Sequence, residues 1–246
     1  MLFDLHAHTS GISACCRAPA HEIVRAALAA GLDGIVLTNH YYKAYVQGGD
    51  NADFARRYVR EYAETREYGE AAGLRVLYGM EVTMELHGGA HILVYGVSPE
   101  FTLAHPDVFD LPLCELYALV HENGGILVQA HPFRGGKNTL QDLAYLDGLE
   151  ANSHPLYDGT HFHRLAQIAR SRGLILTSGG DYHADTQRPR CGTYLPDSVE
   201  TTQDLCAFLR RADAVDLEIQ EPGEIHSRRV NYRRHPEETA KLGFAK

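Results

Sequence analysis

Leu2-Phe3-Asp4-Leu5-His6-Ala7-His8-Thr9-Ser10 is the stretch from which the fold can be read. Leu2 to Leu5 is short and apolar enough to form a buried strand. That strand ends in two histidines one residue apart. Side chains at i and i+2 of a strand point to the same side, so His6 and His8 face one space at its exit. Two imidazoles held this way make the first half of a metal site. Alone, the pair reads more simply as two satisfied core or surface histidines. Recurrence changes that reading, because ligand-type residues stand at the exits of several later strands.

Pro19 opens a helix through Ala30, with Ile23, Ala27 and Leu28 on one face and Gly31 as its stop. Gly34 to Thr38 is a continuous apolar strand with Asn39 and His40 at its exit. Asn51 is an expected N-cap, and the helix after it runs to Gly73 with Phe54, Tyr58, Tyr62 and Thr65 in rough helical period. Leu74 to Tyr78 is the next strand, and Glu81 stands just past it. A tight Gly88-Gly89 turn leads into the strand His91 to Tyr95. A helix near Leu113 to Asn123 precedes the strand Ile126 to Gln129, with His131-Pro132 at its exit. A short helix near Leu140 to Leu146 precedes a weak strand, Gly148 to Ala151, followed by Asn152 and His154. The helix Gly159 to Arg172 leads to the strand Leu174 to Thr177, and Asp181 and His183 follow. Thr202 is an expected cap for a helix to Arg211, and Val215 to Ile219 reads as a last strand.

Near-continuous apolar strands alternating with helices predict a parallel sheet covered on its outer face. About seven strand-helix units suit a (β/α) barrel, with an open doubly wound sheet as the competing architecture. The barrel is favoured because ligand-type residues follow most strands, and a barrel brings all strand exits to one mouth. No internal repeat or linker divides the chain. Residues 1–220 are expected to form one domain, and 221–246 a polar, basic tail with no apolar stripe.

The 246 residues are 44% hydrophobic and 22% charged, an ordinary globular composition. The net charge of -9 argues against a dedicated nucleic-acid binder. No apolar run reaches the length of a membrane span, and Met1 stands directly before the first strand, so no leader is expected. Five cysteines without repeated spacing suggest reduced thiols and a cytoplasmic protein.

The strand-exit set is His6, His8, His40, Glu81, His131, Asp181 and His183, with His91 at the start of a strand. Each has a bland reading: a solvent-facing cap, a surface carboxylate, ordinary turn chemistry. Together they suit two or three divalent cations of the Zn, Mn or Fe type. A carboxylate among imidazoles can bridge neighbouring ions, and Glu81 is the expected bridge. Arg134, three residues past His131, is placed to reach a phosphate at the mouth. Arg17 has the same reading with less support. Glu150, Asn152 and His154 could line the pocket or hold the loop through bonds to its backbone. Tyr41-Tyr42 could wall the pocket or pack the loop.

Asp4-Leu5-His6-Ala7-His8-Thr9, Leu37-Thr38-Asn39-His40, Gly79-Met80-Glu81-Val82, Ala130-His131-Pro132 and Gly179-Gly180-Asp181-Tyr182-His183 resemble, in order, the motifs of the PHP (polymerase and histidinol phosphatase) superfamily. The resemblance spans about residues 1–185. It implies a distorted (β/α)7 TIM-like barrel with a di- or trinuclear metal centre at the C-terminal ends of its strands, hydrolysing phosphoesters. Carried over by position, it implies one ion on His6, His8, Glu81 and Asp181. A second would lie on Glu81 and His131, helped by His91, and a third on His40 and His183. In the loop after His8, Ser13, Cys15 and Cys16 stand where the family has an acidic or histidine ligand. Asn39 stands where the family often has Asp.

The expected activity is hydrolysis of small phosphate monoesters, with a metal-bound water as nucleophile and His183 or His40 protonating the leaving group. The partner is a small phosphorylated substrate, without membrane and without nucleic acid beyond nucleotides or short oligonucleotides. A metal-dependent amidohydrolase or other C–N hydrolase, and a non-catalytic metal-binding regulatory module, are the alternative readings. Arg134 favours the phosphoesterase over the amidohydrolase.

Overall fold

The computed structural model describes residues 1–136, 138–154, 162–184, 190–221 and 223–235. The elements run β1 (Leu2–Ala7), α1 (Ala20–Ala29), β2 (Gly34–Leu37), β3 (His40–Tyr41), α2 (Asn51–Ala72), β4 (Arg75–Tyr78), β5 (Met80–Met84) and β6 (Ala90–Tyr95). They continue with α3 (Pro99–Ala104), α4 (Leu113–Glu122), β7 (Ile126–Gln129), β8 (Gly148–Asn152), α5 (Phe162–Ser171), β9 (Ile175–Gly179), β10 (Gly192–Tyr194), α6 (Thr202–Arg211), β11 (Ala214–Ile219) and β12 (Arg228–Arg233). Residues 159–161, the expected start of a helix, and 236–246 of the expected tail lie outside the described residues.

The helices follow from caps and one apolar face each. In α1, Ile23, Val24 and Ala27 are buried at helical spacing. For α2, Asp50 rather than Asn51 is the N-cap, accepting from the Asp53 N–H, and Gly73 closes it in a left-handed conformation at φ 81°. For α6, Thr201 rather than Thr202 is the cap, forming a reciprocal capping box with Asp204.

The strands form two six-stranded sheets, in the orders β12-β11-β10-β1-β2-β4 and β3-β5-β6-β7-β8-β9. The fold is therefore mixed α/β, and the hydrogen bonds do not run round one closed parallel barrel. β1 pairs parallel with β2, β2 with β4, β7 with β8 and β8 with β9. β6 pairs antiparallel with both β5 and β7. The reason is local: Gly88 and Gly89, at φ 67° and 74°, turn the chain straight back from β5 into β6. A parallel neighbour needs a long crossover, which this turn does not provide. β12 is a further difference, because residues 228–233 pair antiparallel with β11 instead of trailing as a tail.

The chain passes from the first sheet to the second between β2 and β3 and again between β4 and β5. Glu81 N–H donates to the Asn39 carbonyl at 3.1 Å, and Gly79 N–H to the Leu37 carbonyl at 3.1 Å. A Cβ at Gly79 would lie 2.8 Å from Val36 and 2.9 Å from Thr38, so this crossing requires glycine. The sheets also meet where β1 ends beside β9: Asp181 N–H donates to the His6 carbonyl at 2.9 Å, and Ala7 bridges Tyr182. His6, His8, His40, Glu81 and Asp181 all stand at these two junctions.

Candidate metal centre

Glu81 is the centre of the cluster and is wholly buried. Its Oε1 lies 2.9 Å from His91 Nδ1, 3.2 Å from His6 Nε2 and 3.2 Å from His131 Nε2. Its Oε2 lies 2.5 Å from His40 Nδ1 and 3.5 Å from His8 Nε2. Asp181 Oδ1 lies 3.0 Å from His8 Nε2 and 3.4 Å from His6 Nε2. Three groups have ligand atoms within 4.8 Å of one another: His6, His8, Glu81 and Asp181; His8, His40 and His183; and His40, Glu81 and His91. The first is the quartet that the resemblance implies for one ion. His131 shares Glu81 Oε1 but completes no such group among the described residues.

These residues fit a metal. His6 Nε2, His8 Nε2, His40 Nδ1, Glu81 Oε2 and Asp181 Oδ1 are buried without a hydrogen-bond partner among the described residues. Buried polar atoms normally have one, because leaving them unsatisfied is costly. Five such atoms converging from five different chain positions is the arrangement a divalent cation satisfies. The mixed nitrogen and oxygen donors suit Zn, Mn or Fe.

The surrounding bonds decide which ring nitrogens face inward. Ser13 Oγ lies 3.0 Å from His8 Nδ1, accepts from the His40 N–H at 3.0 Å and contacts Asn39 Oδ1 at 2.9 Å. Asn39 Oδ1 accepts the Thr9 N–H, so it is the amide oxygen, and the Ser13 hydroxyl must donate to it. Ser13 therefore accepts from His8 Nδ1–H, which leaves the Nε2 lone pair for the centre. Ser13 and Asn39 thus position His8 and His40. Asp4 Oδ1 accepts the N–H groups of His6 and Gly180, tying the end of β1 to the Asp181 loop. His131 and Asp181 hold φ of 31° and 49°, strained values that the neighbouring bonds must maintain.

The charges set the proton affinities. Burial opposes charge on Glu81, but His40, His91 and His6 outweigh it and hold the carboxyl well below the carboxylate range. Burial raises the Asp181 pKa, but His6, His8 and Arg134 overcome it and bring it well below its ordinary value. For His40 burial is overcome mainly by Glu81, and its pKa rises to about 10. His6 also sits well above its ordinary value, because Glu150, Glu81 and Asp181 overcome burial. His8 sits well below, through burial and the nearby His183 and His40.

The cluster opens into a cavity of about 500 Å³ whose lining includes Cys15, His91, Arg134, Asn138, His154 and His183. Arg134 Nη1 donates to Asp181 Oδ2, so its guanidinium touches an expected ligand carboxylate as well as the cavity. His183 Nδ1 lies 2.7 Å from the Asp181 carbonyl, which only accepts, so Nδ1 carries the proton. The Cys15 thiol is pulled down to about 6, because hydrogen bonds with His183 and His40 outweigh burial. Arg17 is exposed, and its backbone N–H donates to the His183 carbonyl. Tyr41 is wholly buried against Phe54, Tyr58 and Phe109, which is packing and not a pocket wall. A larger cleft, about 700 Å³ beside Met1 and Leu28, has no such cluster: its Arg66 pairs with Glu70, and its Arg75 donates to the Val199 carbonyl.

Sequence reasoning left Glu150 open between lining the pocket and holding the loop. It bonds the His6 ring directly, with Oε1 2.9 Å from Nδ1. The signal was available, since Glu150 stands on a strand beside the exit set and its carboxylate needs a partner once buried.

No protein-family model matches the chain, and no curated protein matches it. Solved structures do. One is a two-domain protein from Bacteroides vulgatus ATCC 8482 named as containing a predicted PHP-like metal-dependent phosphoesterase, with a TM-score of 0.66 and 18% identity. The match covers 89% of this chain and 65% of that one, so this chain spans less than two thirds of that protein. The fold is shared with a PHP-like chain. A protein from Bifidobacterium adolescentis ATCC 15703, named as a metal-dependent phosphoesterase, matches at TM-score 0.54 and 19% identity over 85% of this chain and 96% of that one. An amidohydrolase from Chromobacterium violaceum, solved with bound sulfate and no metal, matches at TM-score 0.53 and 17% identity over 84% of this chain and 96% of that one. At such identities the likeness is one of fold. Among the described residues, no helix is long and apolar enough to cross a membrane.

Proposed function

We propose that the chain is a metal-dependent phosphoesterase acting on small phosphate monoesters. The observation that carries this reading is the convergence of five buried ligand atoms without hydrogen-bond partners, from His6, His8, His40, Glu81 and Asp181, with Arg134 beside them at the cavity. His6, His8, Glu81 and Asp181 would hold one ion. Glu81 would be shared with a second ion held by His131 and His91, and His40 and His183 would hold a third. Bound divalent ions of the Zn, Mn or Fe type would supply Lewis-acid charge to phosphate oxygens and activate water. Arg134, which donates to Asp181 and lines the cavity, would attract the anionic oxygens of a terminal phosphate. His183 or His40, where not committed to a metal, would return a proton to the leaving oxygen. Five cysteines, none in a disulfide among the described residues, fit a reducing compartment such as the cytoplasm.

The fold shared with an amidohydrolase supports one competing reading, in which the same centre polarises a carbonyl. A panel on protein of measured metal content separates the two. At least two divalent ions per chain are expected, with p-nitrophenyl phosphate and a nucleoside monophosphate turned over faster than diesters, and amides and lactones untouched. Arg134→Ala should lower kcat/KM on phosphates by about 1.5–3 kcal/mol, the scale of a charge-assisted hydrogen bond. Metal content on the same variant separates a lost ion from lost phosphate binding. A lactone or amide consumed faster than either phosphate would replace this reading with the amidohydrolase. Absence of metal, with no activity on adding Mn or Zn, would end both.

A further inference from the structure

We infer that Glu150 is a positioning residue that orients two candidate ligands at once, His6 through its ring and His131 through its backbone. The inference rests on the metal-centre reading above. Glu150 is wholly buried in β8 and uses both carboxylate oxygens. Oε1 lies 2.9 Å from His6 Nδ1. Oε2 accepts the His131 N–H at 2.9 Å and the Asn152 side-chain amide at 3.2 Å. A carboxylate in its ionised form only accepts, so His6 Nδ1 carries its proton toward Glu150. That leaves Nε2 as the nitrogen aimed at Glu81, 3.2 Å away, and Asp181, 3.4 Å away. The Oε2 bond holds the His131 backbone, which needs support at its left-handed φ of 31°. Gly179 completes the arrangement: a Cβ there would lie 2.5 Å from Glu150 Oε1 and 2.6 Å from His6 Cβ.

Glutamine has the same shape but one acceptor and one donor end. The His131 backbone can only donate, so the amide oxygen of a Glu150→Gln variant must face it. Its NH2 then faces His6 Nδ1, which becomes an acceptor and moves the ring proton to Nε2, the metal-facing nitrogen. A residue that only filled space would tolerate this change.

The test is Zn2+ affinity of the full chain by chelator competition, wild type against Glu150→Gln, with urea unfolding of both. The expected result is a 10–100-fold loss of Zn2+ affinity, the usual effect of losing such a partner, with a near-native unfolding midpoint. Affinity within about twofold of wild type overturns the inference while leaving the metal centre intact. A wild type that binds no Zn2+ instead overturns the metal-centre reading, and the inference with it. Should the variant not fold, long-range 1H–15N spectra of Zn-loaded, 15N-histidine wild type decide the matter. His6 protonated on Nδ1 and metal-bound through Nε2 supports the inference, and the reverse tautomer overturns it.

Discussion

At the residue scale, the imidazoles are held in opposed states by their neighbours. Glu81 lifts His40 to about 10, and His6 is also held high, while burial and two adjacent imidazoles keep His8 low. Coordination needs neutral rings, so metal uptake must expel protons from His40 and His6. Zn2+ affinity of the metal-free protein should therefore climb from pH 6.5 toward about 10, with proton release seen by calorimetry in buffers of different ionisation enthalpy. An affinity flat over that range, or uptake without proton release, would contradict these assignments. Stability of the metal-free chain follows the same signs. A histidine with a raised pKa stabilises fully below its unfolded value of about 6.5, and that contribution is lost as pH rises through the folded value. Glu81 and Asp181 are held low, so their contribution is present above the ordinary carboxylate range and lost as pH falls through their folded values. At this scale the inward-facing residue types were legible in the sequence, because strand alternation places His6 and His8 on one side. The partners that choose between the ring nitrogens were not legible, since Ser13, Asn39 and Glu150 reach their histidines across loops and strands.

Among the elements, the end of β9 is the tightest point beside the centre. Gly179 has no left-handed φ, so a methyl group there acts only through its collisions with His6 and Glu150. Gly179→Ala should cost about 1–3 kcal/mol of unfolding free energy, the usual effect of overpacking, and should also weaken Zn2+ binding. Denaturant titration and chelator competition on one sample check both. Lost stability with unchanged affinity would mean that the glycine serves strand packing alone. Strand existence was well legible: β2 and residues Ile126–Val128 of β7 are unbroken buried apolar runs, and β11 lies where a last strand was expected. Strand direction was not. Gly88-Gly89 was read as a tight turn, yet its consequence, an antiparallel β5–β6 pair inside an otherwise parallel reading, emerges only from the pairing. β12 shows no apolar stripe of helical spacing, because Val230 and Tyr232 alternate with Arg229, Asn231 and Arg233 at a period of two.

For the whole molecule, a cluster of buried charges is a cost that a bound cation offsets. Ligand that binds only the folded state stabilises it by RT ln(1 + [L]/Kd), roughly 4 kcal/mol at a thousandfold excess over Kd. Zn2+ or Mn2+ at that excess should raise Tm by roughly 8–16 °C for a chain of this size, and EDTA should reverse it. A Tm indifferent to both treatments would mean that no ion closes the cluster. The two junctions between sheets explain why five chain positions reach one point: β1 ends beside β9, and β2 and β4 hand over to β3 and β5, at the same end of the molecule. By itself, the sequence determined which ligand-type residues stand at strand exits, because strand periodicity and ligand type are local properties. Only the tertiary structure decided that the strands divide between two sheets, that Arg134 bonds Asp181 and that Glu150 bonds His6. Those outcomes depend on which strands become neighbours, and contacts between residues as far apart as 6 and 150 leave no periodic mark along the chain.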